Sequence, residues 1–179
     1  MNKLICITLL LFSVIQLSAQ KPDWFNKLKQ LRKTPSTETD VERLFNSPKV
    51  TYATSIEAIR NNKSKTKLID YELPEGVLTI FYSAGKCSEE NTEGWDFENG
   101  VILDYYFKLK DLVPLSKVKI KPDAFPRVFK ANDTQHWFYS DPDKGVTYTS
   151  LGGKLQYIEY TMPKLNNYKC ETVLKQTRK

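Results

Sequence analysis

Few side chains in this chain could carry chemistry. There is one histidine, His136, next to Trp137. A zinc site draws on several His or Cys ligands, and serine catalysis needs a nucleophile and an acid converging on the imidazole, yet no Gly-x-Ser-x-Gly elbow is present. His136 therefore reads as an ordinary strand-edge residue, and neither a metal nor a cofactor is expected. Acids gather in Glu89, Glu90, Glu93, Asp96 and Glu98. Glycoside cleavage needs two carboxylates facing each other across the substrate, an arrangement one loop rarely provides. The run Asp141-Pro142-Asp143-Lys144-Gly145 begins like a calcium loop. However, Lys144 stands where an oxygen ligand is wanted and no bidentate Glu follows, so a solvated turn is expected.

Two further groups favour binding over catalysis. Lys117, Lys119 and Lys121 alternate; on extended chain they share one face, where a row of ammonium groups meets phosphate or lipid or guards a sheet edge. Aromatic residues are plentiful, with 3 Trp, 10 Tyr and 9 Phe. Trp95 lies in a polar loop, and Trp137-Phe138-Tyr139 must send consecutive rings to opposite faces of a strand. Trp95, Asp96 and Trp137 are the candidate binding residues.

The start of the chain says where these groups work. Lys3 precedes an apolar run over residues 4–17, and small residues Ser18 and Ala19 follow. This is the pattern of a cleavable export signal over residues 1–20, cut after Ala19 or Gln20. The run is shorter than the roughly 20 residues a membrane span needs, and no later segment reaches that length. Residues 21–179 then form one domain, for which periplasmic or extracellular localisation is expected. Cleavage removes Cys6 and leaves Cys87 and Cys170, an even pair in an oxidising compartment, so one disulfide is expected. Losing Lys3 lowers the formal charge of +6 by one, a mild basicity that serves solubility. No nucleic-acid reader motif appears.

Periodicity places the elements. Trp24, Phe25, Leu28 and Leu31 recur at helical spacing. Ser36, Thr37, Glu38, Thr39 and Asp40 supply caps for a second helix through Val41, Leu44 and Phe45, which stops at Asn46 before Pro48. Residues 61–67 read as an exposed loop between extended pieces. From residue 68 the period shifts to two, with a turn at Pro74-Glu75-Gly76, strands over 77–82 and 101–109, and an acidic loop over 85–100 between them. Three short strands follow at 137–139, 146–149 and 155–161. The Gly152-Gly153 pair is the strongest hairpin signal, because it accepts the positive φ angles of a two-residue turn. The hairpins around Gly76 and Gly152 read as a weak internal duplication. Helices first and strands after argue α+β: short N-terminal helices packed on an antiparallel sheet of hairpins, with one disulfide.

Several of these landmarks together resemble a family of small exported bacterial proteins with no assigned activity. They are Leu31-Arg32-Lys33-Thr34, Asp40-Val41-Glu42-Arg43-Leu44, Tyr82-Ser83-Ala84-Gly85-Lys86-Cys87, Gly94-Trp95-Asp96, Gly145-Val146-Thr147-Tyr148, Ile158-Glu159-Tyr160 and the late Cys170. The resemblance spans nearly all of residues 21–179 and implies the same fold and the same Cys87–Cys170 pairing. The helix entry over residues 37–48 is also similar to small outer-membrane assembly lipoproteins and β-lactamase-inhibitor-like domains, although those place Gly before the closing Pro where Phe45-Asn46-Ser47 stands here. That likeness implies protein binding without catalysis, by analogy of fold. The expected function is a non-enzymatic exported binding or protein-interaction domain contacting another envelope or extracellular protein, or a glycan, through the loop around Trp95. The alternative is a cell-envelope hydrolase using carboxylates from separate loops, such as Glu93, Asp96 and Asp143.

Overall fold

The structure, a computed structural model, describes residues 22–33, 35–55, 66–88, 94–132 and 135–177. The stretch read as an export signal, most of the 61–67 loop, and Glu89, Glu90 and Glu93 lie outside the described residues. Helix α1 is Asp23–Gln30. It buries Trp24, Phe25 and Leu28, joined by Leu31 at its C-terminal end, while Lys27 pairs with Asp23 one turn back on its outer side (2.6 Å). Helix α2 is Glu38–Phe45. The Asp40 carboxylate accepts from the Thr37 N–H (2.9 Å) and hydroxyl (3.2 Å), closing the first turn. Asn46, at φ 58°, ends the helix in the left-handed region, as its side chain permits.

The strands are β1 (Lys49–Ser55), β2 (Thr66–Leu73), β3 (Gly76–Ser83), β4 (Ile102–Pro114), β5 (Arg127–Lys130), β6 (His136–Asp141), β7 (Val146–Leu151) and β8 (Lys154–Thr161). They form one antiparallel sheet in the order β1-β2-β3-β4-β8-β7-β6-β5. Each half is a four-strand meander, and the last strands of the two meanders pair antiparallel at the centre. This is the arrangement of an approximate two-fold axis through the β4/β8 seam. It pairs the Gly76 turn with the turn at 142–145, not with the Gly152 hairpin that the sequence suggested. Helix α3 (Cys170–Thr177) closes the chain, tied by Cys170 to Cys87 in the loop after β3, with Cα atoms 5.3 Å apart. No helix among the described residues is long and apolar enough to cross a membrane.

Register explains the core. Ile69, Ile80, Tyr105, Tyr160, Val146 and Asp141 line up across the sheet, as do Tyr71, Leu78, Phe107, Ile158, Tyr148 and Tyr139. Both rows are buried, and the helices sit on them: Trp24 packs against Phe107 (5.4 Å between rings), Phe25 against Tyr148 (6.0 Å), and the Tyr105 hydroxyl donates to the Leu28 carbonyl (3.1 Å). The hydroxyls of Tyr71 and Tyr82 satisfy each other inside this core (2.9 Å). Burial pushes the Tyr71 phenol up to about 12 and that of Tyr82 higher still.

One expected element is different. Residues 115–119 make tight turns, with Lys119 left-handed at φ 56°, because Leu115, Val118 and Ile120 all turn inward to the core. Lys117, Lys119 and Lys121 are exposed on a turn and not along a strand edge.

Candidate functional site

The predicted binding residues do not share a surface. Trp95 and Asp96 lie off the end of the sheet where β3 stops and β4 begins, inside a clasp between that loop and the C-terminal tail. Trp95 bridges Lys169, the Asp96 N–H donates to the Tyr168 carbonyl (2.8 Å), and the Cys87 N–H donates to Asp96 Oδ1 (3.1 Å). Phe97 and Tyr168 add a ring contact at 4.8 Å. Trp95 is half-buried there. Trp137 pairs with Ser150 near the opposite end of the sheet, close to the Gly152 turn; it is 38% exposed and carries the Lys130 ammonium over its ring at 5.3 Å. His136 shares a hydrogen bond with Gln156 (3.1 Å). In the 141–145 turn Asp141 accepts from both the Lys144 N–H (3.2 Å) and its ammonium (2.6 Å). The Lys144 ammonium thereby holds the Asp141 carboxyl below the usual carboxylate range, while Asp143 stays exposed. That carboxylate is committed to capping a turn.

The residues that do assemble are on the sheet face opposite the helices. One row runs Asp70, Thr79, Tyr106, Glu159, Thr147, Ser140 and Arg127. The next runs Glu72, Val77, Lys108, Tyr157, Thr149, Phe138 and Phe129. Phe81, Asp104 and Thr161 form a third. Tyr106 and Tyr157 stack at the β4/β8 seam (5.2 Å, 28° between planes), and Phe129 stacks on Phe138 toward the β5 edge (4.7 Å, 8°). Asp104 and Glu159 flank the tyrosine pair, and Asp70 lies two strands along the row, its Oδ1 enclosed without a hydrogen-bond partner. Alternation in β4 and β8 makes these residues legible as one face of each strand. That the two strands are neighbours has no local signal.

Electrostatics set this face apart from the rest of a basic chain. Partial burial pushes the Asp104 carboxyl up to about 6, against the opposing donation from the Thr161 hydroxyl (3.2 Å). Burial also raises Glu159, and it raises the Tyr106 phenol with help from Tyr157. A raised carboxyl binds its proton more tightly when folded than when unfolded. Its ionisation therefore costs stability above pH 6, and that cost fades as pH falls from 6 toward 4. Asp104→Asn is expected to raise the unfolding free energy at pH 7.5 by about 1–3 kcal/mol and to leave it nearly unchanged at pH 3.5. Urea unfolding at the two pH values checks this; an equal effect at both would mean packing, not charge, is responsible.

Compared with known protein families, curated proteins and solved structures, the chain matches none. Its function has to be argued from this geometry.

Proposed function

We propose that this chain is an exported, non-enzymatic binding domain that holds a partner protein on the open face of its sheet, centred on the stacked Tyr106 and Tyr157. The observation that carries the reading is that strip: a stacked tyrosine pair flanked by Asp104 and Glu159, on the sheet face opposite α1 and α2. Tyrosine is enriched at the centres of protein interfaces because it supplies large, stiff, amphipathic area. Carboxylates beside aromatic faces suit the Lys and Arg side chains of a partner, through charge and through the ring quadrupole. The Cys87–Cys170 bond supports an oxidising compartment, in line with the export pattern at residues 1–20. The resemblance of residues 37–48 to helix-pair-on-sheet binding domains points the same way. The Trp95 loop, by contrast, is tied to the C-terminal tail through its backbone and holds the Asp96 carboxylate on the Cys87 N–H, with the Trp95 indole half-buried.

The test is recovery of a partner from envelope extract on immobilised residues 21–179. Wild type and Trp95→Phe are expected to retain the same protein, and Tyr106→Ala with Tyr157→Ala to lose it by roughly 30-fold or more, the loss of one interface hot spot. Retention should weaken as pH drops below 6, where Asp104 takes up its proton. A partner lost with Trp95→Phe but kept by the tyrosine variants would overturn the placement. Retention of glycan alone would overturn the protein-partner reading.

A further inference from the structure

A second, separate feature lies on the helix side. Between α1 and the 118–125 segment is a pocket of about 230 Å³ whose walls include Phe25, Phe125 and Tyr148 and whose lining also includes Lys29, Lys119 and Lys121. Phe25 and Tyr148 are nearly fully buried and Phe125 is half-buried; the rings of Phe25 and Phe125 lie 6.0 and 5.5 Å from that of Tyr148. The walls are therefore aromatic. The charge around them is of one sign. No acid lines the pocket, and Asp123, in the same turn, is exposed and outside the lining.

The wall is itself polarised. The Arg32 guanidinium donates to the Tyr148 hydroxyl through both terminal nitrogens (3.2 and 3.3 Å) and lies 5.9 Å from the ring centroid. With its oxygen accepting from a cation, that hydroxyl becomes a stronger donor. Among the described residues no acceptor takes its proton, and no carboxylate pairs with Arg32. A part-buried cation that meets tyrosine hydroxyls and no carboxylate, the exposed Lys119 and Lys121 and an aromatic wall together describe the complement of an anion with an apolar body. Lys119 is held in the left-handed region at φ 56° by the inward turn of Val118 and Ile120, where a lysine costs free energy that glycine would not.

We propose that this pocket binds a small amphiphilic anion, a single carboxylate or phosphate on a body of about one aromatic ring. The acid group is met by Lys119 and Lys121, with Tyr148 as a polarised donor, and the ring lies against Phe25 and Phe125. The size follows from the volume: a cavity of roughly 150 Å³ holds benzene, so 230 Å³ leaves room for the ring and its acid group. This inference is independent of the open-face reading, because it uses the other side of the sheet.

The test titrates residues 21–179 with phenylacetate and phenyl phosphate, with benzyl alcohol as the uncharged body, inorganic phosphate as the bodiless charge, and vesicles containing phosphatidylglycerol as an anionic surface. Binding is followed by amide chemical shifts. At least one of the aromatic anions is expected to bind saturably, shifting Lys119, Ile120 and Tyr148, with benzyl alcohol and inorganic phosphate each about tenfold weaker or more, the worth of one charge-assisted contact. Lys121→Ala should weaken binding by about fivefold to tenfold. Lys119→Gly should do the same while leaving the urea midpoint at or above that of wild type, since glycine relieves the left-handed backbone. That opposition of sign separates a binding lysine from a structural one. Equal binding of benzyl alcohol, equal binding of inorganic phosphate, response to vesicles only, or insensitivity to both lysine variants would each overturn the proposal.

Discussion

Replacing Cys87 and Cys170 by alanine is expected to lower the unfolding free energy by roughly 3–4.5 kcal/mol. The two residues are 83 apart in sequence. Closing a loop of that length removes about 4.5 kcal/mol of chain entropy from the unfolded state in the loop-closure model. Native contacts around the bond decide how much of that loss is local. Cys170 is fully buried, its N–H donates to the Gly94 carbonyl (3.1 Å), and the Asp96 to Tyr168 and Trp95 to Lys169 contacts flank it. Without the bond these contacts hold α3 alone, so the tail should open before the sheet does. Urea unfolding of the oxidised protein against the double variant gives the magnitude, and limited proteolysis should cut near α3 first. A change below about 1 kcal/mol would assign the stability to the clasp and not to the cross-link. Peptide mass spectrometry of the oxidised protein should show Cys87 joined to Cys170, and two free thiols there would refute the bond.

Gly145→Ala is expected to cost about 2–5 kcal/mol, whereas Gly152→Ala costs about 1–2. Both glycines are left-handed, at φ 62° and 56°, so both substitutions carry the strain of an L-residue in that region. Their surroundings differ. A methyl on Gly145 runs into the backbone carbonyl of Thr161 in β8, while one on Gly152 meets open space. The Thr161 N–H also donates to the Gly145 carbonyl (2.8 Å), so the strand end cannot move away without losing that bond. Gly76 stands at the matching turn of the other meander. A methyl there meets the Lys108 carbonyl of β4, without a positive φ, so Gly76→Ala should fall between the two, at about 1–3 kcal/mol. Urea midpoints of the three variants rank them, and equal losses at positions 145 and 152 would show that strain alone governs these turns.

Much of the local structure was legible in the residues. The 3.6-residue recurrence of Trp24, Phe25, Leu28 and Leu31 marks α1, Thr37 and Asp40 mark the start of α2, Asn46 marks its end, and Gly152-Gly153 marks the β7/β8 turn. Each depends on neighbours a few positions away, which is why pattern alone finds it. Strand β5 was missed because Arg127–Lys130 is four exposed residues long and offers little alternation to read. Helix α3 has no such local signal because its start at Cys170 is held by the disulfide to Cys87, 83 residues upstream, and by the Gly94 carbonyl.

The sequence by itself determined most of the elements, though not β5 or α3, together with the cysteine pair and which residues of each strand share a face. Tertiary structure decided what those faces meet. Placing β4 beside β8 stacks Tyr106 on Tyr157 and brings Glu159 to Asp104, and shifts of register such as the one between Thr149 and Ser150 decide which rows align. Folding α1 and the 118–125 turn over Tyr148 encloses three aromatic rings beneath lysines that look, in sequence, like a solvated stripe. Side-chain alternation has a period of two and carries no information about which strand comes next. That choice is made by burial of the whole sheet face under the helices, a long-range term with no local signature.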